Sequence, residues 1–470
     1  MHRRDVLKLG AATTLAATLY PEVLSAEPHI PAGESGEIEQ WGLYEIALKG
    51  PSSGNPFREV ALSAQFTHEH RSVEVKGFYD GDGTYRIRFM PDMLGAWSYK
   101  TASSAPELNG HTGRFTCTPA QTGNHGPVTT AHQFHFEHGD GTPYFPFGTT
   151  TYAFFFASDE NAANSLAGMT GRFNKTRACV LPKPLGQGEQ LLPFPTDGTP
   201  DATGKANDYT RFNPEYFQRL ERRLLQLQAA GIEADCILFH PYDAWGYKLM
   251  PNDADDFYLR YIVARLSAFR NVWWSIANEY DLVRAKTMSD WDRFFRIVQA
   301  EDPYSHLRSI HNSRVIYDHS RPWCTHASLQ SNDFEKSAER RLAWNKPIIY
   351  DEIQYEGDVE RRWGNLSAEE MTRRFWLATI YGSYASHGEV FISDDSGPHA
   401  HESSWSDAGR LRGDSAARIK FLHDLVARHT DTGLNEFEGS YYLSAGTPNQ
   451  LYLWYFDYHR PARYEFPLPN

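Results

Sequence analysis

A chain of 470 residues exceeds one ordinary domain, so two or three are expected, one of them large enough for a barrel of about 250 residues. A net charge of −13 argues against nucleic acid or an anionic membrane surface as a partner, while the 14% aromatic content supplies stacking platforms suited to a neutral ligand. No segment approaches the run of about 18 apolar residues that a membrane span needs.

The chain opens on Arg3-Arg4-Asp5-Val6-Leu7-Lys8, followed by an Ala/Thr/Leu-rich stretch from Ala11 to Leu19 and the small residues Ser25 and Ala26. That order predicts a twin-arginine export signal over residues 1–26 and a mature protein in the periplasm or outside the cell. The plainer alternative is a basic amphipathic start. Cys117, Cys179, Cys236 and Cys324 are far apart and show no Cys-x-x-Cys or Cys/His spacing. They read as buried thiols, as suits a chain folded before export.

Over residues 36–130, short alternating runs such as Trp41–Leu48, Ser72–Phe78, Thr84–Phe89 and Gly95–Lys100 are divided by turns such as Asp80-Gly81-Asp82-Gly83. This is the pattern of a β-sandwich. Over residues 135–430 strands and helices alternate. Asn213-Pro214 starts a helix with Tyr216, Phe217, Leu220, Leu224 and Leu227 on one face, and Ser367-Ala368-Glu369-Glu370 is a capping box. Strands are expected at Tyr144–Gly148, Thr176–Leu181, Ala234–Phe239, Val272–Ile276, Leu307–Ile310, Thr325–Leu329, Pro347–Tyr350 and Glu389–Ile392. Eight strands in this span predict a (β/α)8 TIM barrel; an open doubly wound sheet competes, but no glycine-rich phosphate loop follows any strand. Residues 435–470 return to strands at Tyr441–Ser444, Leu451–Phe456 and Arg463–Phe466. They form a short C-terminal β-sheet domain, either packed on the rest or part of a longer module; the second is expected, which makes the domain incomplete.

In a TIM barrel the residues closing each strand converge on one mouth. Here the third strand closes in His240, Tyr242 and Asp243 with Trp245 nearby, the fourth in Asn278-Glu279, the fifth in His311-Asn312, the sixth in His326 and Gln330, the seventh in Asp351-Glu352 and the eighth in Asp394-Asp395. Carboxylates at the fourth and seventh strand ends face each other across such a barrel, which suits acid/base and nucleophilic work on a glycosidic bond. An Asn-Glu pair can equally cap a helix, and Asp351, Glu356 and Asp358 compete with Glu352, because a one-residue shift exchanges the two faces of a strand.

Asn278-Glu279 and Glu352 resemble the acid/base and nucleophile of the retaining glycoside hydrolases of clan A. Gly77 to Tyr85 is similar to the sandwich domain that precedes apiosidase-like barrels, and Tyr144 to Thr150 and Phe239 to Asp243 to those barrels' first and third strands. The C-terminal strands resemble the small sheet domain that follows, which continues for further strands in that family. The resemblance implies Glu279 as acid/base with its pKa raised, Glu352 as nucleophile held anionic, and Asn278 on the hydroxyl beside the anomeric carbon. It favours Glu352 over Asp351. His240, Tyr242, Asp243, Trp245, His311, His326 and Trp405 are candidates for binding the carbohydrate; no cofactor or metal is implied. Clan A barrels commonly end the eighth strand in a tryptophan, whereas here Asp394-Asp395-Ser396-Gly397-Pro398 intervenes and Trp405 comes later. Two other functions compete: a catalytically inactive carbohydrate-binding protein on the same fold, and a metal-assisted hydrolase using His240, His311 and His326. The latter lacks a close His pair.

Overall fold

The computed structural model describes residues 36–185, 190–392, 403–437, 441–447 and 450–466. The expected leader and Asp394-Asp395 lie outside the described residues. Two packed sheets form the N-terminal sandwich. One has five strands in the order Glu37–Glu39, Thr112–Thr118, Gly95–Ser103, Leu62–His68, Arg71–Lys76; the other has three, Tyr44–Lys49, Thr84–Phe89, Phe78–Tyr79. Alternation builds the core between them: Leu62, Ala64 and Phe66 point inward from one strand, and Phe66 stacks on Phe89 from the facing sheet at 4.0 Å between centroids.

The barrel strands are β1 Phe147–Thr150, β2 Lys175–Cys179, β3 Glu233–Phe239, β4 Val272–Ala277, β5 Arg308–Ser309, β6 Ala327–Gln330, β7 Ile348–Glu352 and β8 Tyr384–His387. All ladders are parallel and run β5-β4-β3-β2-β1-β8-β7-β6. The ring is completed between β5 and β6 by Thr325 N donating to Arg308 O (2.9 Å) and by Ser309 Oγ, which donates to His326 O (2.7 Å) and accepts from Ser328 N (3.1 Å). No described helix is long and apolar enough to cross a membrane.

Two barrel-strand expectations are corrected. The eighth barrel strand is Tyr384–His387, while Glu389–Ile392 pairs with Glu356–Gly357 and Ser403–Trp405 in a small sheet above the mouth. β8 carries small and polar residues because Ser386 donates to Asp351 inside the barrel (2.8 Å), so it lacks the apolar signature that marked its neighbour. β1 begins at Phe147, since Pro143–Tyr144 belongs to a three-stranded sheet with Val128–Ala131 and His135–His138. That sheet plugs the lower end of the barrel: Phe136 and Tyr144 contact Trp273 at 5.7 and 5.9 Å between ring centroids.

The C-terminal sheet consists of Asn435–Glu436, Leu443–Thr447 and Leu451–Tyr455; residues 463–466 form no strand. It packs on the barrel helix Ala368–Ile380, with Tyr455 stacked on Trp376 (5.5 Å, 2°) and Asp457 accepting two 2.7 Å bonds from Arg373.

Sandwich and barrel are joined through buried charge. Arg88 donates to Glu45 (2.8 Å) on its own sheet and to Glu221 (2.8 Å) of the barrel helix Pro214–Ala229, whose Glu221 also accepts from Arg265 (2.6 Å). Arg265 in turn lies 2.8 Å from Asp80 of the sandwich. Burial raises the pKa of Glu221, but Arg265 and Arg88 outweigh it and bring the group down to about 2. This stabilisation is therefore complete above the ordinary carboxylate range and is lost as pH falls toward 2. Glu221→Gln, which leaves two buried guanidinium groups short of counter-charge, is expected to cost about 3–5 kcal/mol in urea denaturation at pH 7.

Candidate active site

The upper mouth of the barrel is fixed from beneath by charge. On β2 the inward residues are Lys175 and Arg177, and Lys175 Nζ donates to Asp351 Oδ1 (2.6 Å) and pairs with Asp235 Oδ2 (2.9 Å). Ser328 and Ser386 complete the shell of Asp351 at 2.6 and 2.8 Å. Although burial raises its pKa, Lys175 and Arg177 hold this carboxyl well below the usual range. Asp351 is thus a fixed structural anion. Between Ser328 and Gln330 the β6–β7 ladder shifts register, an irregularity that re-aims the next side chain, and Glu352 ends the strand at the mouth.

Across the barrel, Asn278 closes β4 fully buried, and Arg177 Nη2 donates to its Oδ1 at 2.8 Å. Glu279 follows at φ 45°, ψ 52°, a left-handed backbone that costs a non-glycine residue about 1–2 kcal/mol. Its Oε2 accepts from the Tyr242 hydroxyl, which itself accepts from Asn278 Nδ2 (2.9 Å). With its amide nitrogen toward the cleft, Gln330 donates to Glu279 Oε1 at 3.1 Å and to Asn312 O at 2.9 Å. Glu352 Oε2 accepts from Tyr152 (3.1 Å) and Oε1 from the Trp363 indole (3.0 Å). Tyr355 bonds Tyr152 at 3.2 Å, and its ring packs so closely over Gly388 that a Cβ there would stand 2.1 Å from it.

The other candidates divide. His311 stays in the site: its Nε2 is 3.9 Å from Glu352 Oε2, and neither ring nitrogen has a hydrogen-bond partner among the described residues. His240 is committed to the wall, donating from Nε2 to Leu181 O (2.8 Å) and accepting on Nδ1 from Tyr242 N (3.2 Å); burial pushes it down to about 4, so the ring is neutral. Asp243 turns into its own loop and accepts from the backbone of Trp245 (3.0 Å), Tyr247 (2.9 Å) and Lys248 (3.2 Å), leaving it no free face for a ligand. Trp245 lies half-buried against Tyr247 (5.9 Å). Trp405 belongs to the small upper sheet, 5.8 Å from Tyr355. His326 is the clear correction: it precedes β6 and packs on Phe136 and Trp273 at the plugged lower end, because the strand starts at Ala327 and carries Gln330 to the mouth instead.

Arg177, Tyr152, Tyr355, Trp363 and Gln330 complete the cleft. Trp363, from the loop after β7, reaches Glu352 with its indole N–H. Gln330 alone stood among the strand-end residues of the sequence. The other carboxylates near these strand ends are, among the described residues, engaged elsewhere: Asp281 accepts from the backbone of Ser313, Arg314 and Val315, Glu356 from Asp414 and Ser415, and Asp358 from Ile392 N. Among the described residues no group of three His, Cys, Asp or Glu side chains could hold a metal ion.

This fold and site define a barrel of the glycoside hydrolase type. The chain belongs to the apiosidase-like family: the model described as "Apiosidase-like, catalytic domain" matches residues 130–431, and a domain of unknown function (DUF5060) matches residues 37–104. A Bacteroides vulgatus protein assigned to the glycoside hydrolases is similar in structure with TM-score 0.82 and 39% identity, over 90% of this chain and 84% of that one. A family 5 glycoside hydrolase from the same organism shares the fold at TM-score 0.50 and 15% identity, over 68% of this chain and 78% of that one. No curated protein matches the chain.

Glu352 differs electrostatically from the expectation that it is held anionic. Burial and the charge of Glu279 push it up to about 7, against the hydrogen bonds from Tyr355 and Trp363 and the charge of Arg177. A carboxyl group raised in the folded state costs stability as pH rises from its ordinary value through 7, and the cost is complete above that. Glu352→Gln removes it. The variant is expected to be more stable than the parent by on the order of 3 kcal/mol at pH 8, with the gain vanishing toward pH 5, in paired thermal denaturations.

Proposed function

We propose that this chain is a retaining glycoside hydrolase that cleaves a plant or microbial polysaccharide or oligosaccharide by double displacement. The observation that carries this reading is that Glu279 and Glu352, from opposite strands of one barrel, face a common cleft while the competing carboxylates among the described residues, Asp351, Glu356 and Asp358, are bound elsewhere. Glu352 would attack the anomeric carbon as Glu279 protonates the leaving oxygen; water activated by Glu279 would then release the sugar from Glu352. Asn278 and His311 would hold hydroxyls of the sugar beside Glu352. Arg177, bonded to Asn278 and felt by Glu352, would favour the ionised nucleophile. Export through the twin-arginine route is part of the proposal, supported by Arg3-Arg4 and by four buried free cysteines that form no disulfide.

A glycan-panel screen with NMR of the product anomer tests the reading. Retention of configuration is expected, with Glu279→Gln reducing turnover at least about 100-fold and Glu352→Gln abolishing it. An inverted product contradicts the mechanism, and glycan binding without turnover favours an inactive binding protein. Because the cleft must keep one proton on the carboxyl pair, kcat/KM is expected to fall above a limb near pH 7, where Glu352 surrenders it.

A further inference from the structure

The cleft has two unlike sides. Around Glu352 the neighbours are polar: the Tyr152 hydroxyl, the Trp363 indole N–H and, at 3.9 Å, His311. The loops that flank Glu279 carry exposed apolar side chains instead. Leu249 after β3 is 48% exposed, Leu282 after β4 39% and Val315 after β5 60%, on three consecutive loops of the barrel. Single exposed aliphatic residues are ordinary, but a row of them at the rim of a cleft marks a surface that a ligand covers.

The row is fixed in place, and fixed beside Glu279. Leu282 closes the short helical turn Tyr280–Leu282 that begins after Glu279, and its N–H donates to Glu279 O (2.9 Å). Asp281, in the same turn, accepts from the backbone of Ser313, Arg314 and Val315 and so holds the loop after β5 against it. Asp243 does the equivalent after β3, accepting from the N–H groups of Tyr247 and Lys248 and thereby setting the turn Tyr247–Leu249. Lys286 then ties the two loops together, donating to Met250 O (2.5 Å). Two carboxylates that could have bound hydroxyls are thus engaged in presenting aliphatic side chains. A rim held in this way loses little conformational freedom when it is covered.

The acid/base protonates the oxygen of the leaving group, so whatever is attached to that oxygen lies on the Glu279 side of the cleft. A bare sugar there would set hydroxyls against aliphatic carbon and lose their hydrogen bonds to water. Arg284 and Arg314, both exposed, stand within two residues of Leu282 and Val315, and a guanidinium group stacks well on an aromatic face. We propose that this row is a leaving-group site for an aromatic ring: Leu249, Leu282 and Val315 cover a ring carried by the departing part of the substrate. The inference rests on Glu279 being the acid/base, and it narrows the substrate class of that same site. The ring is borne either by an aglycone on the scissile oxygen or by an aromatic ester on a leaving-side sugar of a glycan.

Benzyl and methyl glycosides of the sugar found in the panel screen test the site, because benzyl alcohol and methanol are similarly poor leaving groups and differ chiefly in the ring. In the first arm kcat/KM is expected to be at least about tenfold higher for the benzyl glycoside. The double variant Leu282→Asn/Val315→Asn is expected to lower that ratio severalfold, a change that loss of fold would not produce. The second arm compares a disaccharide with and without a benzoyl ester on its leaving-side sugar. Preference for the benzyl glycoside places the ring on the scissile oxygen, preference for the ester places it on the glycan, and no preference in either arm overturns the site. Binding is also read without turnover, by titrating benzyl alcohol into protein labelled with 13C at its leucine and valine methyl groups. The methyl resonances of Leu249, Leu282 and Val315, assigned by their loss in the single Asn variants, are expected to shift; unmoved resonances overturn the site. Full turnover in Glu279→Gln removes the acid/base reading and the inference with it, whereas lost turnover in that variant beside equal benzyl and methyl rates in the parent removes the inference alone.

Discussion

The contact between Lys175 and Asp351 governs the mouth of this barrel. Both groups are fully buried, so the chain has spent desolvation free energy that an aliphatic layer would not have cost, and only dense pairing recovers it. The pairing is dense: Asp235 shares Lys175, Ser328 and Ser386 close the shell of Asp351, and these residues come from β2, β3, β6, β7 and β8. A network that draws on five strands fixes their relative heights in a way that non-directional apolar packing cannot. Glu352 is the residue after Asp351, and Arg177 is two residues after Lys175 on the same inward face, so fixing the lower pair also sets the upper one. The charge that binds Asn278 and faces Glu352 is therefore delivered by the same strand that anchors β7 from below.

The two ends of the barrel are specialised in opposite senses. Below, Phe136, Tyr144 and Trp273 seal the opening with aromatic surface contributed by the sheet that follows the sandwich, and the buried Arg88–Glu221–Arg265 cluster holds the sandwich against the helices. Above, short loops carry hydroxyl and indole donors to two carboxyl groups. Closing one end and binding the neighbouring domain rigidly leaves the other end free to be polar and partly open, which is where function in this architecture is built.

Much of this was legible in the sequence, for identifiable reasons. The helix Pro214–Ala229 follows from Asn213-Pro214 and from Tyr216, Phe217, Leu220, Leu224 and Leu227, all buried, because amphipathic period and helix start are local properties. Glu279 and Glu352 were visible because each ends an apolar run. β8 was not, because its burial is polar: Ser386 is inside by virtue of Asp351, a residue on another strand, and no local pattern announces that. His326 illustrates register. A short strand offers two ends, and only the pairing of Ala327 with Ile348 shows that the histidine is at the lower one. Arg177 hides for a related reason, since a charged residue in Lys175-Thr176-Arg177-Ala178-Cys179 reads as surface until Asp235, Asp351 and Asn278 are known to surround it.

The two carboxyl groups differ in depth and surroundings. Glu352 lies deeper and feels burial first and Glu279's charge second, while Tyr355, Trp363 and Arg177 oppose both. Glu279 lies nearer the opening with a donor on each oxygen. Raising the Glu352 carboxyl is the reverse of what nucleophilic attack by that residue requires, so the donors and the guanidinium group around it are what make the attack feasible.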